Sequence, residues 1–272
     1  MRILFVGDIF GKPGREIARR AIPALIERES LDYVIANVEN SAAGFGVTGD
    51  IAETILGYGV DAMTTGNHVW DKKEVLEYIP RQPKLLRPAN FPAGTPGRGS
   101  YVGRTRSGEA IGVINVMGRI FMAPLDDPFA VVVKEIEAIR AKARVIIVDF
   151  HAEATSEKVA MGWHLDGRVT GVFGTHTHVQ TADDRILPKG TAYLTDAGMT
   201  GPHDSIIGVT TELALGRFVS GMPAKFEAAT GPGRLNGVIV TADLATGRAT
   251  AIQRISLSNA DVDAMVPQAA GH

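Results

Sequence analysis

The stretch Val169-Thr170-Gly171-Val172-Phe173-Gly174-Thr175-His176-Thr177-His178 joins a short β-branched, apolar run to two imidazoles spaced two residues apart. A run of this length and composition reads as a buried strand. If the strand continued through the histidines, alternation would set both rings on one face, whereas a turn would leave them at the strand's end. Neutral imidazole binds transition metals, so the pair points to a metal site, against the plainer reading of a polar loop whose histidines are neighbours by chance.

Working outward, the pattern repeats. Strands are expected at Ile3 to Val6, Tyr33 to Val38, Val60 to Thr65, Ile111 to Val116, Val145 to Asp149 and Val169 to Phe173. Asp8 follows the first of these, Glu39 and Asn40 the second, Asn67 and His68 the third, His151 the fifth, and His176 with His178 the sixth. Each has an ordinary explanation alone: Asp8 as a turn cap, Glu39-Asn40 and Asn67-His68 as turn residues, His151 as a structural histidine. Together they are a poor coincidence, because the other loops of this chain are mostly Gly, Pro and small residues.

Helical stretches are expected at Gly14 to Glu29, Gly49 to Gly57 with Thr48 as its cap, Lys72 to Tyr78, and Phe129 to Ala143. Strand and helix thus alternate through the first two-thirds. The later strands, Ala182 to Leu187, Thr191 to Leu194, Gly237 to Ala242 and Ala249 to Ile255, lack long helices between them and suggest a second, more antiparallel sheet. The expectation is an α/β fold of two packed β-sheets flanked by helices in a single domain over residues 1–258, with 259–272 a poorly ordered tail in which His272 is no ligand. In such sheets the carboxyl ends of strands converge on one rim, where ligands bind.

Composition narrows the chemistry. The 272 residues are 45% hydrophobic and 21% charged with a formal net charge of -2, which disfavours non-specific attraction to nucleic acid or anionic membrane. There is no cysteine, so thiolate metal sites, iron–sulfur clusters and cysteine nucleophiles are excluded, and a metal must be held by His, Asp, Glu or Asn. The N-terminal apolar run is too short for a signal segment and no run reaches the length of a membrane span, so a cytoplasmic protein is expected.

The motifs Gly7-Asp8, Gly66-Asn67-His68, His151 and Gly174-Thr175-His176-Thr177-His178 resemble, in order and spacing, those of the calcineurin-like binuclear metallophosphoesterases. More narrowly, the chain resembles the bacterial YmdB-like branch through Gly7-Asp8-Ile9-Phe10-Gly11-Lys12-Pro13-Gly14-Arg15, Asn37-Val38-Glu39-Asn40 and the stretch 174–183. The resemblance implies a four-layer metallophosphoesterase-like sandwich with two metal ions. Two departures from the broader superfamily stand out: Phe10 replaces a ligating histidine, and Glu39 replaces the bridging aspartate. With Asn40 filling the gap, one ion would be held by Asp8, Glu39, Asn40 and His178, the other by Glu39, Asn67, His151 and His176, with Glu39 shared. Oxygen and nitrogen ligands without thiolate suit Fe, Mn or Zn better than Ca or Mg.

His68, not needed as a ligand, takes the role of general acid in the similar family; the plainer alternative is a histidine that orients a ligand. The resemblance further implies phosphodiesterase activity on 2',3'-cyclic nucleotides such as 2',3'-cAMP, giving nucleoside 3'-phosphates, with RNA or its breakdown products as partners in the wider sense. A homo-oligomer is compatible with this reading. The residues suggest less about substrate. Positions 78–108 hold Arg81, Lys84, Arg87, Arg98, Arg104 and Arg106 without an acid, a stretch that could attract phosphate but reads better as a solvated loop and hairpin. Phe45, between Gly44 and Gly46, could stack a base or pack in the core, and His203 lies in a candidate rim loop. Neither His203 nor His164 is assigned to metal.

Three other functions compete. A phosphate-cradling loop at Gly7 to Lys12 fails, because the gap between glycines is a residue short and Pro13 stands where a magnesium-binding hydroxyl belongs. A regulatory module that binds metal and nucleotide or RNA with little turnover, and an enzyme acting on phosphomonoesters or phosphoproteins, both share the same site.

Overall fold

A computed structural model describes residues 1–265. In chain order the elements are β1 (Arg2–Val6), α1 (Gly11–Arg28), β2 (Tyr33–Asn37), α2 (Gly49–Leu56), β3 (Ala62–Thr64), α3 (Val75–Tyr78), β4 (Ser100–Arg104), β5 (Ala110–Met117), α4 (Pro128–Arg140) and β6 (Val145–His151). There follow α5 (Thr155–Leu165), β7 (Gly171–Thr175), β8 (Arg185–Ile186), β9 (Ala192–Leu194), β10 (Gly201–Pro202), α6 (Thr211–Ser220), β11 (Gly233–Ala242), β12 (Ala249–Ser258) and α7 (Asn259–Met265).

Two mixed sheets stack face to face. In the first, β1, β2 and β3 run parallel and β11 joins β1 antiparallel, itself pairing with β10 and β12. In the second, β5, β6, β7 and β9 are parallel, with β4 and β8 as antiparallel edges. Helices α1 and α2 cover the outer face of the first sheet, and α4 and α5 that of the second. The α/β sandwich expected from sequence is therefore present, but the late strands do not form a sheet of their own. β11 and β12 complete the first sheet and β8 and β9 the second, since the exposed edges left by the parallel strands are where a returning chain finds unpaired backbone groups.

Strand alternation explains where the site falls. On β6, Ile146, Val148 and Phe150 face the helices, while Val145 and Ile147 face the other sheet. Asp149 and His151 continue that second, inward face. The same inward row runs from Tyr33 and Ile35 to Asn37 on β2, from Ala62 to Thr64 on β3, and from Phe173 to Thr175 on β7. The space between the sheets is thus apolar along most of its length and polar only at the carboxyl rim.

Helix α5 escapes the sequence reading because its buried side includes Lys158 and Gly162, and α6 because Leu215, Phe218 and Val219 are exposed. The segment 259–265, expected in a poorly ordered tail, is instead α7: Val262 is buried in the α1 core and Asp263 pairs with Arg20. The remainder of that expected tail, with His272, lies outside the described residues. Among the described residues no helix is long and apolar enough to cross a membrane.

Candidate metal centre

His151 is the hub of the rim. Its Nε2 lies 2.8 Å from Asn67 Oδ1, 3.0 Å from Glu39 Oε1 and 3.1 Å from His176 Nδ1. One imidazole nitrogen offers a single proton or a single lone pair, so it cannot satisfy three such neighbours by hydrogen bonding. An ion placed among the four atoms would satisfy all of them, and Glu39, His151 and His176 alone already converge closely enough to hold one. The opposite nitrogen fixes the tautomer. His151 Nδ1–H donates to Thr175 Oγ1 at 2.9 Å, and that hydroxyl donates to Asp149 Oδ1 at 2.7 Å, leaving Nε2 unprotonated as ligation requires.

A second group sits beside the first. Asn40 Nδ2 is 3.2 Å from His178 Nε2, which is 3.9 Å from Asp8 Oδ1. Asp8 is fully buried, and Oδ1 has no hydrogen-bond partner. A buried carboxylate oxygen left bare costs several kcal/mol unless a cation meets it. The Asn40 amide, whose Nδ2 faces His178, would present its oxygen to the same place if the side chain were turned over. His178 Nδ1–H donates to Ile207 O at 2.8 Å, so here too Nε2 is the nitrogen left for a metal. Ligand-type side chains thus lie in two neighbouring groups, Asn67, His151 and His176 in one and Asp8, Asn40 and His178 in the other, with Glu39 in contact with His151 of the first and Asn40 of the second.

The electrostatics show the same demand for positive charge. Burial pushes the Asp8 carboxyl upward, only partly offset by His178 and His151. For Glu39 burial also acts upward, but His151 overrides it and brings the group to about 2. Burial opposes the His151 charge, yet Glu39 raises the ring to about 9, so the pocket favours positive charge at this position. His176, desolvated and beside His151, is lowered to about 3 and stays neutral.

The turn that carries the two histidines is held from behind. The strand does not continue through them: β7 ends at Thr175, and His176 and His178 adopt φ of 96° and 65°, in the left-handed region that non-glycine residues avoid. The rings therefore part toward different groups instead of sharing a strand face. Asp196 secures Thr177 between them, accepting from its N at 3.2 Å and its Oγ1 at 2.6 Å, and is itself paired with buried Lys158 at 2.6 Å. Gly174 is required because a Cβ there would lie 1.8 Å from Thr195 O. Gly66 is required for a similar reason, since its Cβ would meet the His151 ring at 2.1 to 2.4 Å.

Asp149 ties the two sheets together under the site. It accepts from Asn37 Nδ2 at 3.0 Å and from Thr64 Oγ1 of the first sheet, and from Thr175 Oγ1 of its own. Burial pushes its carboxyl up to about 6 despite these bonds. Asp149→Ala would orphan three buried donors. It is expected to lower stability by about 3 kcal/mol, read as a fall in denaturation midpoint, because each unsatisfied group costs about 1–3 kcal/mol.

His68 stands at the mouth, outside both groups. Its backbone N–H donates to Glu39 Oε2 at 3.0 Å, and its Nδ1 is 2.8 Å from Asp71 Oδ2. Asp71 thus engages Nδ1, and Nε2 is the nitrogen left for proton transfer. Phe45 packs edge-on against the His68 ring at 5.1 Å and lines a cleft of about 260 Å³ with Glu39, Asn40, His176, His178, Glu153 and Phe226. His203 lies elsewhere, against Met199 O and Asn236, in a separate cavity of about 460 Å³ that touches this cleft only through His178 and Ile207. His164 packs on Phe129, and Arg87, Arg104 and Arg106 are tied to backbone carbonyls away from the cleft. Asp71, Glu153 and Phe226 are cleft or near-cleft residues that sequence reasoning did not single out. Asp71 and Glu153 stand three and two positions beyond His68 and His151, a spacing that could have flagged them.

The family model described as YmdB-like protein matches residues 4–255. The chain is 49% identical over 260 residues to the 2',3'-cyclic-nucleotide 2'-phosphodiesterase of Bacillus subtilis, covering 95% of this chain and 98% of that one. Among solved structures, one titled a hypothetical protein from Thermus thermophilus superposes with a TM-score of 0.89 at 43% identity, covering 95% of this chain and 99% of that one. Another, titled a novel phosphatase from Mycoplasma pneumoniae, does so with a TM-score of 0.89 at 36% identity, covering 95% and 93%.

Proposed function

Since this chain belongs to the YmdB-like family, we propose that it is a binuclear metal-dependent phosphodiesterase that opens 2',3'-cyclic nucleotides to nucleoside 3'-phosphates. The observation that carries this reading is the convergence of Glu39, Asn67 and His176 on one nitrogen of His151, beside the bare Asp8 oxygen. When bound, two ions supply a hydroxide nucleophile at neutral pH and polarise the phosphoryl oxygens. The thiolate-free ligand set suits Fe, Mn or Zn, and of these Fe or Mn is proposed.

The chain's own part is positioning and proton transfer. His68, its Nδ1 engaged by Asp71, is the general acid: Nε2 delivers a proton to the O2' that leaves phosphorus. Phe45 and Phe226 offer apolar wall on which a base can rest. The test is turnover of 2',3'-cAMP by protein loaded with Mn or Fe, with products separated chromatographically. Accumulation of 3'-AMP is expected. A protein that holds metal but binds the nucleotide without hydrolysing it would support a regulatory role instead.

A further inference from the structure

Among the described residues the cleft is lined by no Lys or Arg; its basic side chains are the imidazoles of His68, His176 and His178. Its acidic side chains are Glu39 at the floor and Glu153 at the rim, and the rest of the wall includes Phe10, Phe45, Ile207, Val209 and Phe226. Nearby cations are engaged by other groups: Lys158 is buried against Asp196, Arg15 reaches Ser41 O, and Arg217 lies over the ring of Phe226 at 5.1 Å. Glu153 is 47% exposed, yet its Oε2 is fixed 3.0 Å from His176 Nε2. A negative charge is thus pinned at the mouth of a site that must admit phosphate.

This arrangement suits some phosphates better than others. Sites for phosphomonoesters commonly surround the dianion with Arg or Lys donors. A monoester carries about 1.5 to 2 negative charges at pH 7, whereas a diester carries one. Resting on the phosphodiesterase reading above, we propose that Glu153 determines specificity by charge, disfavouring dianionic monoesters relative to monoanionic diesters and speeding loss of the monoester product. In the reaction, water's oxygen bonds to phosphorus, the P–O2' bond breaks and O2' takes a proton. The product then has an additional ionisable oxygen, and its extra charge develops beside Glu153. Between charges several ångströms apart in a mostly aqueous medium, one extra unit charge changes affinity by roughly two- to tenfold.

The experiment compares wild type with Glu153→Gln, which removes the charge but keeps an acceptor for His176 Nε2–H. The substrates are bis(p-nitrophenyl) phosphate and p-nitrophenyl phosphate, which share a leaving group and differ in charge. Metal content and inhibition by inorganic phosphate are measured alongside. The expected result is a rise of roughly two- to tenfold in the monoester-to-diester ratio of kcat/KM, expressed mainly in the monoester KM, with tighter phosphate inhibition and unchanged metal. Glu153→Asp should return both values toward wild type. An unchanged ratio, or loss of metal from Glu153→Gln, would overturn the proposal, the latter because Glu153 would then be a partner of His176 alone. If wild type hydrolysed neither ester, the functional reading would fail, and phosphate affinity measured calorimetrically on the metal-loaded proteins would still decide the charge effect.

Discussion

Replacing His68 by alanine is expected to lower kcat by about 10²- to 10⁴-fold while leaving bound metal and KM nearly unchanged. The separation of effects follows from which atoms of His68 do what. The contact with Glu39 comes from the backbone N–H, which the substitution keeps. The side chain hydrogen-bonds Asp71 and packs on Phe45, and it makes no hydrogen bond to any of the seven ligand-type residues. Removing the ring therefore removes a proton donor and leaves the ligands in place. The loss should shrink for a substrate whose leaving group needs no proton, such as a p-nitrophenyl diester, compared with a cyclic nucleotide. Loss of metal from the variant would mean that His68 belongs to the coordination site.

Glu39→Gln should have the broadest effect, because in the proposed allocation this one carboxylate serves both ions. Oε1 faces His151 at 3.0 Å, and Oε2 is held by the backbone of His68. The neutral amide cannot serve two cations at once. Both ions should be lost and diesterase activity should fall by more than the roughly 10- to 100-fold that follows loss of a ligand's outer hydrogen-bond partner. The side chains are nearly the same size, and burial disfavours the Glu39 charge, so the far-UV spectrum should be retained. Activity close to wild type would remove Glu39 from the centre of the site.

The strands and their polar ends could be read from the chain because the inter-sheet face uses a period-two pattern with one change of polarity. Tyr33 and Ile35 give way to Asn37, and Val145 and Ile147 to Asp149 and His151. Allocation of the seven ligand-type residues to two ions rests on family resemblance and charge balance; the folded chain places the seven at one rim. What stayed hidden depends on contacts distant in sequence. Asp149 reads locally as a polar interruption of a strand, and its purpose appears only when Asn37 and Thr64 arrive from the facing sheet. Asp196 likewise gains meaning through Thr177 and Lys158. The left-handed backbone at His176 and His178 has no glycine to announce it, which is why continuation of the strand was an open alternative. The late strands joined both sheets because pairing partners are chosen by available edges, a property of the assembled fold.

The central claim is a divided site with Glu39 between its halves, and it is tested most directly by counting metal per chain. Wild type, His176→Ala and His178→Ala would be loaded with Mn or Fe, desalted and measured by elemental analysis. The account predicts about two ions per wild-type chain and about one in each variant, since the two histidines face different groups. A wild-type chain that takes up no more than one ion, or variants that both retain two, would contradict it.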